Sequence, residues 1–173
     1  FTADWHLGHS AIMKYCDRPF ASLDAMHKKL IENHNKVVKD NDDVFFLGDM
    51  GLYGKEGLKS VVSQLTGNKI LILGTHDNYT VGTYKSAGFS VVLFSADIDI
   101  GKTRFHLRHV PARTPWQFVK LCWTYYRTMR SNKRIYKDIY YRLRREWRNF
   151  RLETSTPVIC GHVHEAWRLK GNN

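Results

Sequence analysis

Cysteine is scarce in this chain: Cys16, Cys122 and Cys160 are the three among 173 residues, an odd number with no CxxC pair or other short metal-type spacing. That scarcity excludes a disulfide framework and a zinc knuckle and fits a reducing compartment, so a cytoplasmic location is expected. Long apolar runs are missing as well. No stretch approaches the ~20 residues of a membrane-spanning helix, and no charged-then-apolar segment opens the chain as a signal peptide would. There is no repeat array and no long disorder-prone tract. With 43% apolar residues, the composition suits one soluble globular domain with a sizeable core. Acidic residues are also in short supply, 16 against 27 Lys and Arg, for a net charge of +11. The deficit is local. Residues 112–153 hold 12 basic and 3 acidic side chains, whereas the other 131 residues hold 15 and 13. The same segment carries 10 of the 23 aromatic residues.

Apolar spacing predicts the organisation. Leu23, Met26, Leu30, Ile31, Val37 and Val38 recur at helical period behind Ser22 as N-cap. Short apolar runs over 43–47 and 69–73 end in Gly48 and Gly74. Between them Leu58, Val61, Val62 and Leu65 mark a helix that Gly67 stops. This is β-α-β grammar, and runs that are continuous rather than alternating imply strands buried on both faces. A third run covers 89–94, followed by a hairpin turning at Gly101 and Lys102. Sheet grammar returns at 157–160. The chain opens on Phe1 without an initiator Met and closes on a turn, so both ends are expected to be truncated. The expected fold is α/β with domain residues 1–111 and 157–173, interrupted by a basic aromatic insertion at 112–156.

Four clusters stand where apolar runs stop: Asp4-Trp5-His6, Gly48-Asp49, Gly74-Thr75-His76-Asp77 and Gly161-His162-Val163-His164. His109, after the run 103–108, is a fifth point. Residues just past the carboxyl ends of strands in a layered sheet converge on one crevice. The converging groups are carboxylates and imidazoles without thiolate, a set suited to Mn first, and to Fe, Zn or Ni. Asp4 with His6 and His162 with His164 are expected to grip one ion per pair from an extended chain, where residues i and i+2 share a side. His27, His34 and His106 fit no cluster and read as ordinary helix or strand residues.

In this order and at this spacing the five clusters resemble the calcineurin-like metallophosphoesterase superfamily. The run Asp4-Trp5-His6-Leu7-Gly8-His9 with Arg18-Pro19-Phe20 is similar to its small bacterial and phage-type members. The resemblance implies a layered β-sandwich flanked by helices and a site for two divalent ions. By position, Asp4, His6 and His164 would hold the first ion, Asp49 would bridge, and His109 and His162 would hold the second. His76 would stand beside the phosphate with Asp77 orienting its ring, and His9 and Arg18 are candidates for substrate contact. Paired cations lower the pKa of a shared water and neutralise phosphoryl charge, so the implied activity is hydrolysis of a phosphodiester or pyrophosphate by a bridging hydroxide. One position departs: the family's Asn, a ligand of the second metal through its amide oxygen, is here Thr75, a shorter and poorer ligand. An impaired site that only binds is therefore a further expectation.

The basic segment predicts a helical hairpin, with Thr114 as N-cap and Pro115 opening a helix to about residue 130 and a second helix over about 133–151. Lying between His109 and His162, it is expected to cap the crevice. Arg and Lys interleaved with Tyr and Trp suit a nucleotide or nucleic-acid strand. They also suit an anionic membrane surface, and a related branch, the UDP-diacylglucosamine pyrophosphohydrolases, carries a lipid-receiving helical cap in the same place. A solvated hairpin that merely packs on the sheet is the bland alternative. Oligomeric state is not legible.

Overall fold

The computed structural model describes residues 1–111, Trp123 and residues 156–162. Apart from Trp123, the expected hairpin over 112–153 lies outside the described residues. What is described is a mixed α/β chain of four helices and two three-stranded sheets. In chain order come α1 (Ser10–Tyr15), α2 (Leu23–Val37), β1 (Asp43–Phe46), α3 (Gly54–Val62) and β2 (Asn68–Ile72). Then follow α4 (Val81–Ala87), β3 (Val91–Leu93), β4 (Ala96–Ile100), β5 (Thr103–Leu107) and β6 (Val158–Ile159). Among the described residues no helix is long and apolar enough to cross a membrane.

Local chemistry explains most boundaries. Ser22 Oγ accepts the Ala25 N–H at 3.1 Å and starts α2 as expected. α3 stops at Val62, so Leu65 packs from the loop beyond it instead of from a last turn. α1 and α4, of six and seven residues, have too few turns to write a periodic pattern and were not expected. α4 is bounded by Thr80 as N-cap and by Gly88 in the left-handed conformation.

The first sheet has the order β1-β2-β3, all parallel, with Phe46 opposite Leu71 and Ile72 opposite Leu93. The expectation of strands covered on both faces holds for β1 and β2, whereas edge strand β3 leaves Val91 and Leu93 exposed, and the side-chain period of two decides what each face meets. Val44, Phe46 and Leu71 turn toward the helices and join Leu58, Val62, Tyr84 and Phe89 in the main core. Phe45 and Ile72 turn the other way, toward Leu107, Ile98 and Ile159 of the second sheet. That sheet has the order β4-β5-β6, antiparallel then parallel, with Gly101 at φ +62° in the tight turn between β4 and β5.

β1, β2, β5 and β6 all direct their carboxyl ends to one edge of the molecule. The amino-terminal segment is stitched to the same edge, Leu47 N–H bonding Thr2 O at 2.7 Å and His6 N–H bonding Asp49 O at 2.9 Å. The sheets thus deliver every described cluster to a single place.

Candidate metal centre

Backbone conformation marks this place before any side chain is considered. Five non-glycine residues among those described have positive φ, and four of them are Asp4 (57°), His6 (52°), Asp49 (56°) and His162 (75°). Left-handed backbone at a non-glycine residue costs of order 1–3 kcal/mol and persists where packing over-determines it, mostly at functional sites. The expectation of an extended Asp4/His6 grip is therefore corrected: the two side chains converge, but from a coiled left-handed segment between the bridges at Thr2 and Leu7.

The glycines before the ligands have a steric reason. A Cβ on Gly161 would sit 2.7 Å from Asp4 Oδ2, and one on Gly48 would sit 2.6 Å from His109 Nδ1. One on Gly74 would strike the backbone N and Oδ1 of Asp49. Only a bare backbone lets the strand ends approach so closely.

Two groups of ligand atoms form, Asp4-His6-Asp49 and Asp49-His109-His162, each with its atoms within 4.8 Å of one another. Asp49 belongs to both. Its Oδ2 lies 3.7 Å from His6 Nε2 and 3.2 Å from His109 Nε2. His109 Nδ1 bonds the Leu47 carbonyl at 2.7 Å, which leaves the Nε2 lone pair of the neutral ring facing Asp49 and, at 3.1 Å, His162 Nδ1. Lone pairs aimed at one another repel unless a proton or cation stands between them. The donor set therefore fits divalent ions: hard oxygen and borderline nitrogen, largely buried, with ring orientation fixed from behind.

Electrostatics agree with that reading. Burial alone would raise Asp49, yet the hydrogen bond and charge of His109 and the His76 N–H, 2.7 Å from Oδ1, hold its carboxyl well below the usual range. Burial alone would lower His109, and the bond to Asp49 outweighs it and raises the imidazole.

The other expected residues take varied places. Thr75 is buried with Oγ1 at 3.3 Å from Asp49 Oδ2, so it sits at the carboxylate common to both groups. The His76 ring meets His6 edge-on, centroids 5.4 Å apart. Asp77 was expected to orient His76, and the structure gives it another task. Its carboxylate accepts the N–H groups of Gly74 (2.7 Å), Asp49 (2.8 Å) and Met50 (3.0 Å) and so ties the ends of β1 and β2 together. Burial, with the charge of Asp49, raises its carboxyl against the pull of those three donors. Arg18 turns inward rather than toward a substrate: its guanidinium donates to Trp5 O at 3.0 Å and Asp4 O at 2.5 Å. His9 stands at the rim, its ring against His6 and His76. His164 lies outside the described residues.

Sequence reasoning missed one contributor. His27, expected to be ordinary, accepts the Gly8 N–H at Nε2 (3.1 Å) and lies against Tyr53, holding the loop that carries Asp4, His6 and His9. Nothing in its helical setting signals this. His34, by contrast, bonds Thr66 O within the helix packing, and His106 pairs with Asp97 on the hairpin.

No family model matches the chain. An uncharacterized protein of Methanocaldococcus jannaschii is 42% identical over 79 residues, 44% of this chain and 45% of that protein. The matched stretch thus spans about half the length of that curated relative. The crystal structure of a protein of unknown function from Aquifex aeolicus aligns over 99% of this chain and 80% of its own, with TM-score 0.58 and 25% identity. Both are similar to this chain without an assigned activity to compare.

Proposed function

We propose that this chain is a binuclear metal-dependent phosphoester hydrolase of the calcineurin-like type, its two sheets forming that family's layered β-sandwich. The favoured substrates are phosphodiesters or pyrophosphates of nucleotides or nucleic acid. The observation that carries the reading is Asp49: one buried carboxylate shared by two Asp/His groups in which Asp4, His6, Asp49 and His162 are held in left-handed backbone. Asp4, His6 and Asp49, with His164 from the sequence pattern, would hold one ion, and Asp49, His109 and His162 the other. When bound, the pair supplies Lewis-acid charge neutralisation and a lowered water pKa. His76 is kept over the site by its backbone bond to Asp49, where its imidazole is suited to protonate a leaving oxygen. Asp77 and Arg18 keep the ligand loops in register. Thr75 gives the second ion a weaker hold than an amide would. A lipid-linked phosphate is the second reading, favoured by the aromatic and basic content of 112–153.

The test is hydrolysis of bis-p-nitrophenyl phosphate with Mn, alongside a calorimetric Mn titration. The parent turns over the diester, His76→Ala lowers the rate by 10²-fold or more on the scale of general acid catalysis, and Thr75→Asn tightens the weaker Mn site. A parent that binds Mn and is inert even with the Asn in place is a binding protein, and one that takes up no Mn ends the proposal.

A further inference from the structure

His9 has two possible duties that its geometry separates. It is the residue before α1, where its Nδ1 accepts the Ile12 N–H at 3.1 Å, a bond shared with its own carbonyl. A ring nitrogen that accepts a hydrogen bond carries no proton, so the proton of this imidazole is on Nε2. The backbone thereby turns His9 into a fixed donor.

The position of that ring is also set. Gly8, at φ +76°, has no room for a side chain, since a Cβ would lie 2.7 Å from Tyr53 Cα, and its N–H is held by His27. The His9 N–H bonds His6 O at 3.1 Å. The ring meets His6 at 5.7 Å and His76 at 6.1 Å between centroids, edge to face in both cases. His6 is buried beneath, whereas His9 and His76 are partly exposed at the rim. Two partly exposed imidazoles thus stand against each other and against buried His6, and a helix N-terminal bond holds the tautomer of one of them.

We propose that His9 is a substrate-contacting residue that donates from Nε2 to a non-bridging phosphoryl oxygen, with no proton transferred. This rests on the phosphoester reading above and assigns the anion-facing contact that Arg18, bound to main-chain carbonyls, does not make.

The test uses the Zn-loaded chain with ¹⁵N-labelled imidazoles and inorganic phosphate as the probe. Long-range ¹H–¹⁵N spectra, with the His9 signals identified by their loss in His9→Asn, should show an Nε2-protonated ring whose Nε2 resonance moves as phosphate is added. His9→Asn keeps the cap, Asn being among the best N-cap residues, so its unfolding midpoint should stay at the parent value. Its phosphate affinity by calorimetry should fall about 10- to 100-fold, as loss of a hydrogen bond to a charged group implies. An Nδ1-protonated ring, a His9 signal indifferent to phosphate, or phosphate affinity within twofold of the parent in His9→Asn overturns the proposal. His9-dependent phosphate binding by a chain that hydrolyses no diester keeps the His9 assignment and overturns the hydrolase reading instead.

Discussion

At the scale of single residues, the centre is organised by one carboxylate and the proton it shares with an imidazole. Asp49 titrates lower in the folded chain than unfolded, so its stabilising contribution is present above the unfolded Asp value and is lost as pH falls through the folded one. His109 titrates higher when folded, so its contribution is complete below the unfolded His value and is lost as pH rises through the folded one. In metal-free protein the pair therefore stabilises most between about pH 4 and 6.5, the two unfolded values. On the proposed metal reading a divalent ion would take the proton's place on His109, so metal uptake should strengthen with rising pH. Thermal unfolding followed across pH, with chelator and with Mn, should show the alkaline decline only with chelator. A decline of equal depth in both would mean that His109 is not a ligand. The identities of these residues were legible because each follows an apolar run; the inward turn of Arg18 was not, since its partners are backbone carbonyls that no sequence pattern encodes.

Among elements, the parallel sheet and the loops at its carboxyl edge divide the work between rigidity and reach. Phe46 and Leu71 fix β1 against β2 from the helix side, while Phe45 and Ile72 do so from the side of the second sheet. Above them Asp77 is the cross-tie, one carboxylate for three N–H groups on two loops. Asp77→Asn puts an amide N–H against one of those donors and leaves it unsatisfied, a cost of about 1–3 kcal/mol. The loop that carries Asp49 should loosen with it. We expect a lower urea midpoint together with weaker Mn binding, and an unchanged midpoint with unchanged Mn affinity would make the cross-tie incidental. α2, β1, β2 and the hairpin were readable from a cap, apolar runs and a glycine turn, because those signals are local. α1 and α4 were not, being stabilised by the packing of Ile12, Tyr84 and Ala87 more than by any periodic face.

For the whole molecule, charge and chemistry are carried by different parts of the chain. Outside 112–153 the balance is 15 basic to 13 acidic residues, so the net +9 of that segment dominates any long-range attraction for an anionic partner. If the partner is a single nucleic-acid strand, affinity should fall steeply with salt, and replacing Arg144, Arg145 and Arg148 with Gln should lower the log–log slope by about 2. Salt-insensitive binding, or preference for anionic vesicles at equal salt, favours the lipid-linked substrate instead. The sequence by itself determined the α/β grammar, the candidate ligands and the location of the excess charge, because each is written in residue type and short-range spacing. Only the tertiary structure decided that Asp4, His6, Asp49 and His162 have left-handed backbones, that Asp77 accepts three N–H groups of two loops rather than orienting His76, and that His9 Nδ1 is tied to the start of α1. Those facts depend on contacts such as that between His162 N–H and Asp4 Oδ2, 2.9 Å apart across 158 residues of chain, and such approaches are set by how two sheets pack.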